Sequence, residues 1–179
     1  MMQKKSPDSE NIRRSIKEES ISLLEWKTLK LQISHFALTS MGKKSILEFE
    51  IPTSYAKCLK LLNQTIEINK LEEELNISIS FSGVSDIKNN LQICAKGGVI
   101  NAYQLLEIAD TISASRYLNK LIFNKDLRPN LSGILEKLIA NTQIERTLKE
   151  GIESNGRISD NASDKLRDLR QQVFSLRSE

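Results

Sequence analysis

The residues of this chain whose types could do chemistry are few, and their spacing decides against most of it. Gly42-Lys43-Lys44-Ser45 resembles the end of a phosphate loop, in which glycines let backbone amides approach the phosphates while a lysine reaches the outer ones. GxxxxGK requires a glycine where this sequence has Ala37, and a strand must precede the loop where the pattern here is helical, so the segment reads as a helix bend with two solvated lysines. Lys96-Gly97-Gly98 reads as a helix stop rather than an anion nest. His35 is the sole histidine, so a Ser-His-Asp triad has no other base to use, and the helical spacing puts it beside Phe36 with no evident partner. Glu72-Glu73-Glu74 point in different directions if helical, which suits a solvated face better than a cation site. Cys58 and Cys94 lie far apart without CxxC or a nearby histidine, so neither a disulfide framework nor a zinc site is expected. Arg13, Arg14 and Lys17, and Arg167, Arg170 and Arg177 near the other end, suit phosphate contact or plain solubilisation. No catalytic, cofactor-binding or metal-ligating residue is assigned, and by itself the chain reads as a helical interaction module rather than an enzyme.

The elements that would position these groups are helices. The 179 residues contain only 7 Gly and 3 Pro, too few for the regular turns of a small sandwich or barrel. Trp26, Leu29, Ile33, Phe36 and Ala37 form one stripe of a helix over Leu23 to Leu38. Gly42 ends it or marks a bend, and a short helical stretch then runs to Phe49 before Pro52. Thr53 or Ser54 caps a long helix over Tyr55 to Leu75, whose two apolar lines predict neighbours on two sides. Ile77, Ile79 and Phe81 alternate with serines, the rhythm of a short strand or extended loop. Asp86 opens the next helix and Asn101 caps a longer one; Pro129 precedes a short one, and Gln143 to Ser154 forms another. Asn155-Gly156 is a turn signal. Ala162, Leu166, Leu169, Val173 and Leu176 then step by alternating four and three, the seam of a coiled coil. The fold class is all-α, an elongated helical bundle with at most one short extended segment near residues 77–82. Residues 1–9 read as a disordered tail, 10–160 as a helical core region, and 161–179 as the start of a long helix that is still running at Glu179.

Length and composition agree with one helical domain or half of a larger one: 39% of residues are apolar and 27% charged, with aromatics at 5%. Lys and Arg total 26 against 23 acidic residues, a net charge of +3, which is short of a dedicated nucleic-acid footprint. No uninterrupted apolar run reaches roughly 18 residues and no h-region opens the chain, so no membrane partner is expected and a cytoplasmic location is the default.

Several stretches, in order, resemble the MutS type-two family. They are Leu24-Glu25-Trp26 with Leu29, then Ala37, Thr39, Gly42-Lys43, Pro52, Leu62, Thr65 and Glu67. Gly83 with Asp86-Ile87 follows, then Ala95-Lys96-Gly97-Gly98-Val99, Leu105 to Thr111, and Arg116 with Leu118. Ile152, Gly156, Asp160, Ala162-Ser163, Leu166, Leu169 and Arg170 complete the series. Their order and spacing together are specific, and the resemblance covers about Leu23 to Arg177. Asn124 to Leu127 and the Asn101 cap depart from it.

The resemblance implies the amino-terminal core and lever region of bacterial ATPases that lack mismatch-reading domains. The full-length layout it implies continues into a clamp, a returning lever helix, an ATPase domain and often an Smr nuclease domain. Such proteins restrain homologous recombination, bind branched DNA, or split collided ribosomes. ATP and Mg²⁺ are implied only for full-length members, and no functional residue carries over to this segment. The implied partners are the remainder of its own polypeptide or a second subunit, and branched DNA or the ribosome. On this reading Leu166, Leu169 and Val173 seat the last helix against other core helices and a returning lever, and unpartnered aliphatic stripes leave a large apolar patch. The competing reading is a stand-alone helical scaffold that pairs through an open seam.

Overall fold

Helix capping and apolar spacing account for most of the architecture seen in a computed structural model, which describes residues 15–16, 18–122, 125–138 and 141–178. The tail at 1–9 and Arg13, Arg14 and Lys17 lie outside the described residues. The chain divides into two units, Met1–Ile51 and Pro52–Glu179. Among the described residues the fold is all-α, and the single β-type pairing is an isolated bridge between Ile152 and Ile158.

In the first unit, residues 18–23 are helical and the chain then breaks at Glu25, which adopts a left-handed φ of 49° before α1 (Trp26–Ser34). The single helix expected from Leu23 to Leu38 is therefore two pieces, and the second stops four residues early. The reason is local: a glutamate in the left-handed region cannot continue a right-handed ladder. Thr39 caps α2 (Ser40–Glu48) by accepting the Gly42 N–H at 3.0 Å. Gly42 thus lies in the first turn of a new helix instead of ending the old one. α1 and α2 pack together, with the Trp26 and Phe49 rings 6.2 Å apart and Lys30 Nζ donating to the Leu47 carbonyl at 2.6 Å.

In the second unit, Ser54 caps α3 (Tyr55–Leu75), and Asn76 at φ 51° ends it. α3 is central to the main core, as its two apolar lines predict: Leu71 is fully buried with Ile79, Ile122, Leu131 and Leu135 around it. Burying a leucine of this kind stabilises by about 1.5–3 kcal/mol. The 77–82 segment is an extended loop without a ladder, anchored by Ile79 in the core and by the Ile79 N–H, which donates to Glu72 Oε1 at 2.7 Å. α4 (Lys88–Ala95) starts two residues after Asp86 and ends at Gly97, whose φ of 76° admits glycine at no steric cost.

Asn101 opens α5 (Ala102–Leu121) with a reciprocal capping box, its side chain accepting from Gln104 N–H while Gln104 Oε1 accepts from Asn101 N–H, both at 2.9 Å. A short 3-10 turn (Lys125–Leu127) leads to α6 (Pro129–Leu135), packed on α3. Asn141 caps α7 (Thr142–Gly151), which packs along α5. A second 3-10 turn (Asp160–Ala162) precedes α8 (Asp164–Ser178). No helix among the described residues is long and apolar enough to cross a membrane.

Candidate interaction surface

The polar residues that survive burial act as joints between helices. Glu67 on α3 reaches the start of α6, accepting from Leu131 N–H at 2.9 Å, Asn130 N–H at 3.3 Å and Asn130 Nδ2 at 2.6 Å. Desolvation raises its pKa, but these donors and the nearby Arg128 outweigh that and leave it below the ordinary glutamate value. Glu74 pairs with the buried Arg128 guanidinium. Glu72 is half-buried and Glu74, though exposed like Glu73, pairs with Arg128, so the row of three glutamates is not simply a solvated face.

Between α5 and α7 the buried Glu145 accepts from Arg116 Nε at 3.0 Å and Nη2 at 2.8 Å, a bidentate fork. Lys149 bridges from Asp110 at 3.3 Å to Glu145 at 3.9 Å. The Arg116 hydrogen bond, foremost, holds the Glu145 carboxyl below its ordinary value, and the same contact raises the Arg116 pKa. Thr111 ties the preceding loop to α5 by accepting the Ser85 N–H at 3.1 Å and donating to the Gly83 carbonyl at 3.3 Å.

α8 grows from this block through a tight joint. Beyond α7 the chain doubles back at residues 153–157, with Glu153 N–H donating to the Arg157 carbonyl at 2.8 Å and Ser159 N–H to the Gly151 carbonyl at 2.9 Å. Tyr103, near the start of α5, lies over the turn and donates its hydroxyl to the Asn155 carbonyl at 2.8 Å. Gly156, at φ 78°, is required there: a Cβ would sit 2.8 Å from the Tyr103 ring. Ser159 caps the 160–162 turn and Ser163 caps α8, accepting the Leu166 N–H at 3.1 Å. Arg170 pairs with Asp160, and Arg167 reaches Asn161 at 3.1 Å and Asp164 at 3.4 Å.

Past this root the apolar side chains are exposed. Leu169 and Val173 are 48% and 49% exposed, Leu176 and Phe174 73% and 75%. Among the described residues the expected seating of Leu166, Leu169 and Val173 against other core helices is therefore not seen, and of the three only Leu166 is partly covered. The cause is that α8 is held by its first turns against the 160–162 turn, which leaves the remainder of the seam facing outward.

The other singled-out residues are not brought together. His35 is exposed in the turn after α1, Cys58 and Cys94 are exposed free thiols, and Lys43 and Lys44 are exposed on α2. The residues present do not fit a nucleotide phosphate, because the Gly42 N–H is taken by Thr39 within a helix start. Among the described residues no three of His, Cys, Asp and Glu gather as metal ligands. What periodicity missed are the joints Glu67–Asn130, Arg116–Glu145 and Tyr103–Gly156; some of their members, together with Gly83, Thr111, Ile152, Asp160 and Ala162, are residues that carry the family resemblance.

These features define an all-α module with one helix held at its base and open along its seam. No protein-family model matches the chain. Curated proteins do: "Endonuclease MutS2" of a Synechocystis species is 27% identical over 96% of this chain, that of a Geobacillus species 30% over 86%, and that of Halalkalibacterium halodurans 32% over 89%. The chain spans about a fifth of the length of these relatives, between 20% and 21%. It belongs to the MutS2 family as a partial region of it.

Proposed function

We propose that this chain is the amino-terminal core and lever module of a MutS2-type protein, with α8 as the first stretch of the lever. The observation that carries this reading is the joint at residues 151–163: a capped and glycine-dependent root fixes α8 at one end while its seam is exposed beyond it. A lever must be stiff and firmly seated, and a helix so rooted extends its tip by ~1.5 Å per residue. In such a protein, ATP and Mg²⁺ would be held by segments other than this one, and motion there would reach α8 through the α5–α7 block. The working target is branched DNA or the ribosome, in suppression of recombination or rescue of collided ribosomes, with nuclease chemistry also residing elsewhere. The open seam equally suits a stand-alone helical scaffold without catalysis.

One observation separates the two. The coding frame read past Glu179 runs on to a GxxxxGK[ST] phosphate loop if the chain is part of such an ATPase, and meets a stop codon directly if it is a scaffold. The second result, together with stable expression of the 179-residue chain, would reject the lever reading.

A further inference from the structure

The open seam also carries information about what covers it. With Leu166 and Val173 at heptad position a, and Leu169 and Leu176 at d, the flanking e positions are Arg170 and Arg177 and the flanking g positions are Lys165 and Gln172. The two carboxylates of the helix, Asp164 and Asp168, fall at f and c on the far side. Among the described residues every charged group bordering the seam is thus a cation, and Glu179, outside them, takes the next g position. We propose that α8 docks a helix of different sequence whose own flanking positions carry Asp or Glu, an acid-flanked amphipathic helix. The proposal rests on the lever reading only in taking the seam as a pairing surface.

A second copy of this chain fits poorly. In a parallel pair Lys165 faces Arg170 of the other copy, and in an antiparallel pair the e positions meet, placing guanidinium against guanidinium. Asp160 holds Arg170 in the unpartnered chain, but these side chains are 45% and 62% exposed, and an ion pair so exposed is exchanged at little cost for a partner carboxylate. Among the described residues of α8 no carboxylate lies three or four positions from Arg177, which presents its cation at the flank of the seam.

The test uses the full chain and two synthetic three-heptad helices, both with Leu at a and d, one with Glu and one with Lys at e and g, titrated by calorimetry. The Glu-flanked helix binds, the Lys-flanked one at least about tenfold more weakly at low salt, and the gap narrows as salt screens it. The double variant Lys165→Glu with Arg177→Glu, which spares the Arg170–Asp160 pair and is checked for unchanged helix content by circular dichroism, reduces or inverts the preference. Equal affinity for both helices would overturn the acid-flank assignment while leaving the seam as a pairing surface. Binding of neither would overturn the pairing surface itself. A chain dimer abolished by Leu169→Asp would make a second copy the occupant, and duplex DNA bound through Arg170 and Arg177 would make it nucleic acid; either contradicts the proposal.

Discussion

The α5–α7 block and α8 are built from similar residues and put to opposite use. Along α5 and α7 the charges turn inward to one another, so that Glu145 is buried with Arg116 and Lys149 around it, and Ile108, Ala109 and Ala114 are buried. On α8 the Ser159 and Ser163 caps hold the root, and the aliphatic residues beyond it are exposed. The contrast teaches that the stability of this unit resides in the helices before residue 163, and that α8 contributes a surface rather than a core.

Mutations sharpen that contrast in a definite order. Leu71→Ala, which empties the fully buried centre of the main core, should lower unfolding free energy by about 2–5 kcal/mol in urea titration, whereas Leu176→Ala on α8 should change it by less than about 0.5 kcal/mol. Equal effects would erase the distinction between core and surface. Next comes Gly156→Ala, which forces an L side chain into the left-handed region and against the Tyr103 ring; about 1–2 kcal/mol is expected from the backbone conformation alone, together with faster amide exchange at residues 157–163. Asn101→Ala, removing one half of the capping box, should cost about 1 kcal/mol.

Acid offers a probe of the joints. Glu145 and Glu67 both have folded pKa values below their ordinary one, so each contributes stability that is present above the unfolded glutamate value of roughly 4.3 and is lost as pH falls through the lower folded value. The urea midpoint should therefore decline below about pH 4.3, and the decline should be shallower in Glu145→Gln, which has no carboxylate to protonate. An unchanged pH profile in that variant would remove the Arg116–Glu145 fork from the stability of the block.

Much of this was readable before any coordinates, because caps and helical periodicity are local. Asn101 and Ser54 announce their helices, Gly97 ends another, and the four-and-three step of Leu166, Leu169, Val173 and Leu176 marks the seam of α8. The joints were not readable, because their partners are distant in sequence: Glu67 and Asn130 are 63 residues apart, Tyr103 and Asn155 are 52, and Arg116 and Glu145 are 29. No period relates such pairs, and charge on a helix looks the same whether it ends in water or in a fork. The break at Glu25 was equally hidden, since glutamate carries no preference for a left-handed φ. The seam was legible as apolar but not as open, because exposure depends on where the root aims the helix.

That openness is tested most directly by amide hydrogen exchange along α8 in the dilute chain. The Leu169 to Leu176 amides, bonded only within a helix that no core covers, are expected to exchange much faster than those of Ile108 and Ala109 on α5. Protection of the Leu169 to Leu176 amides equal to that of α5 would contradict it, because the seam would then already be covered.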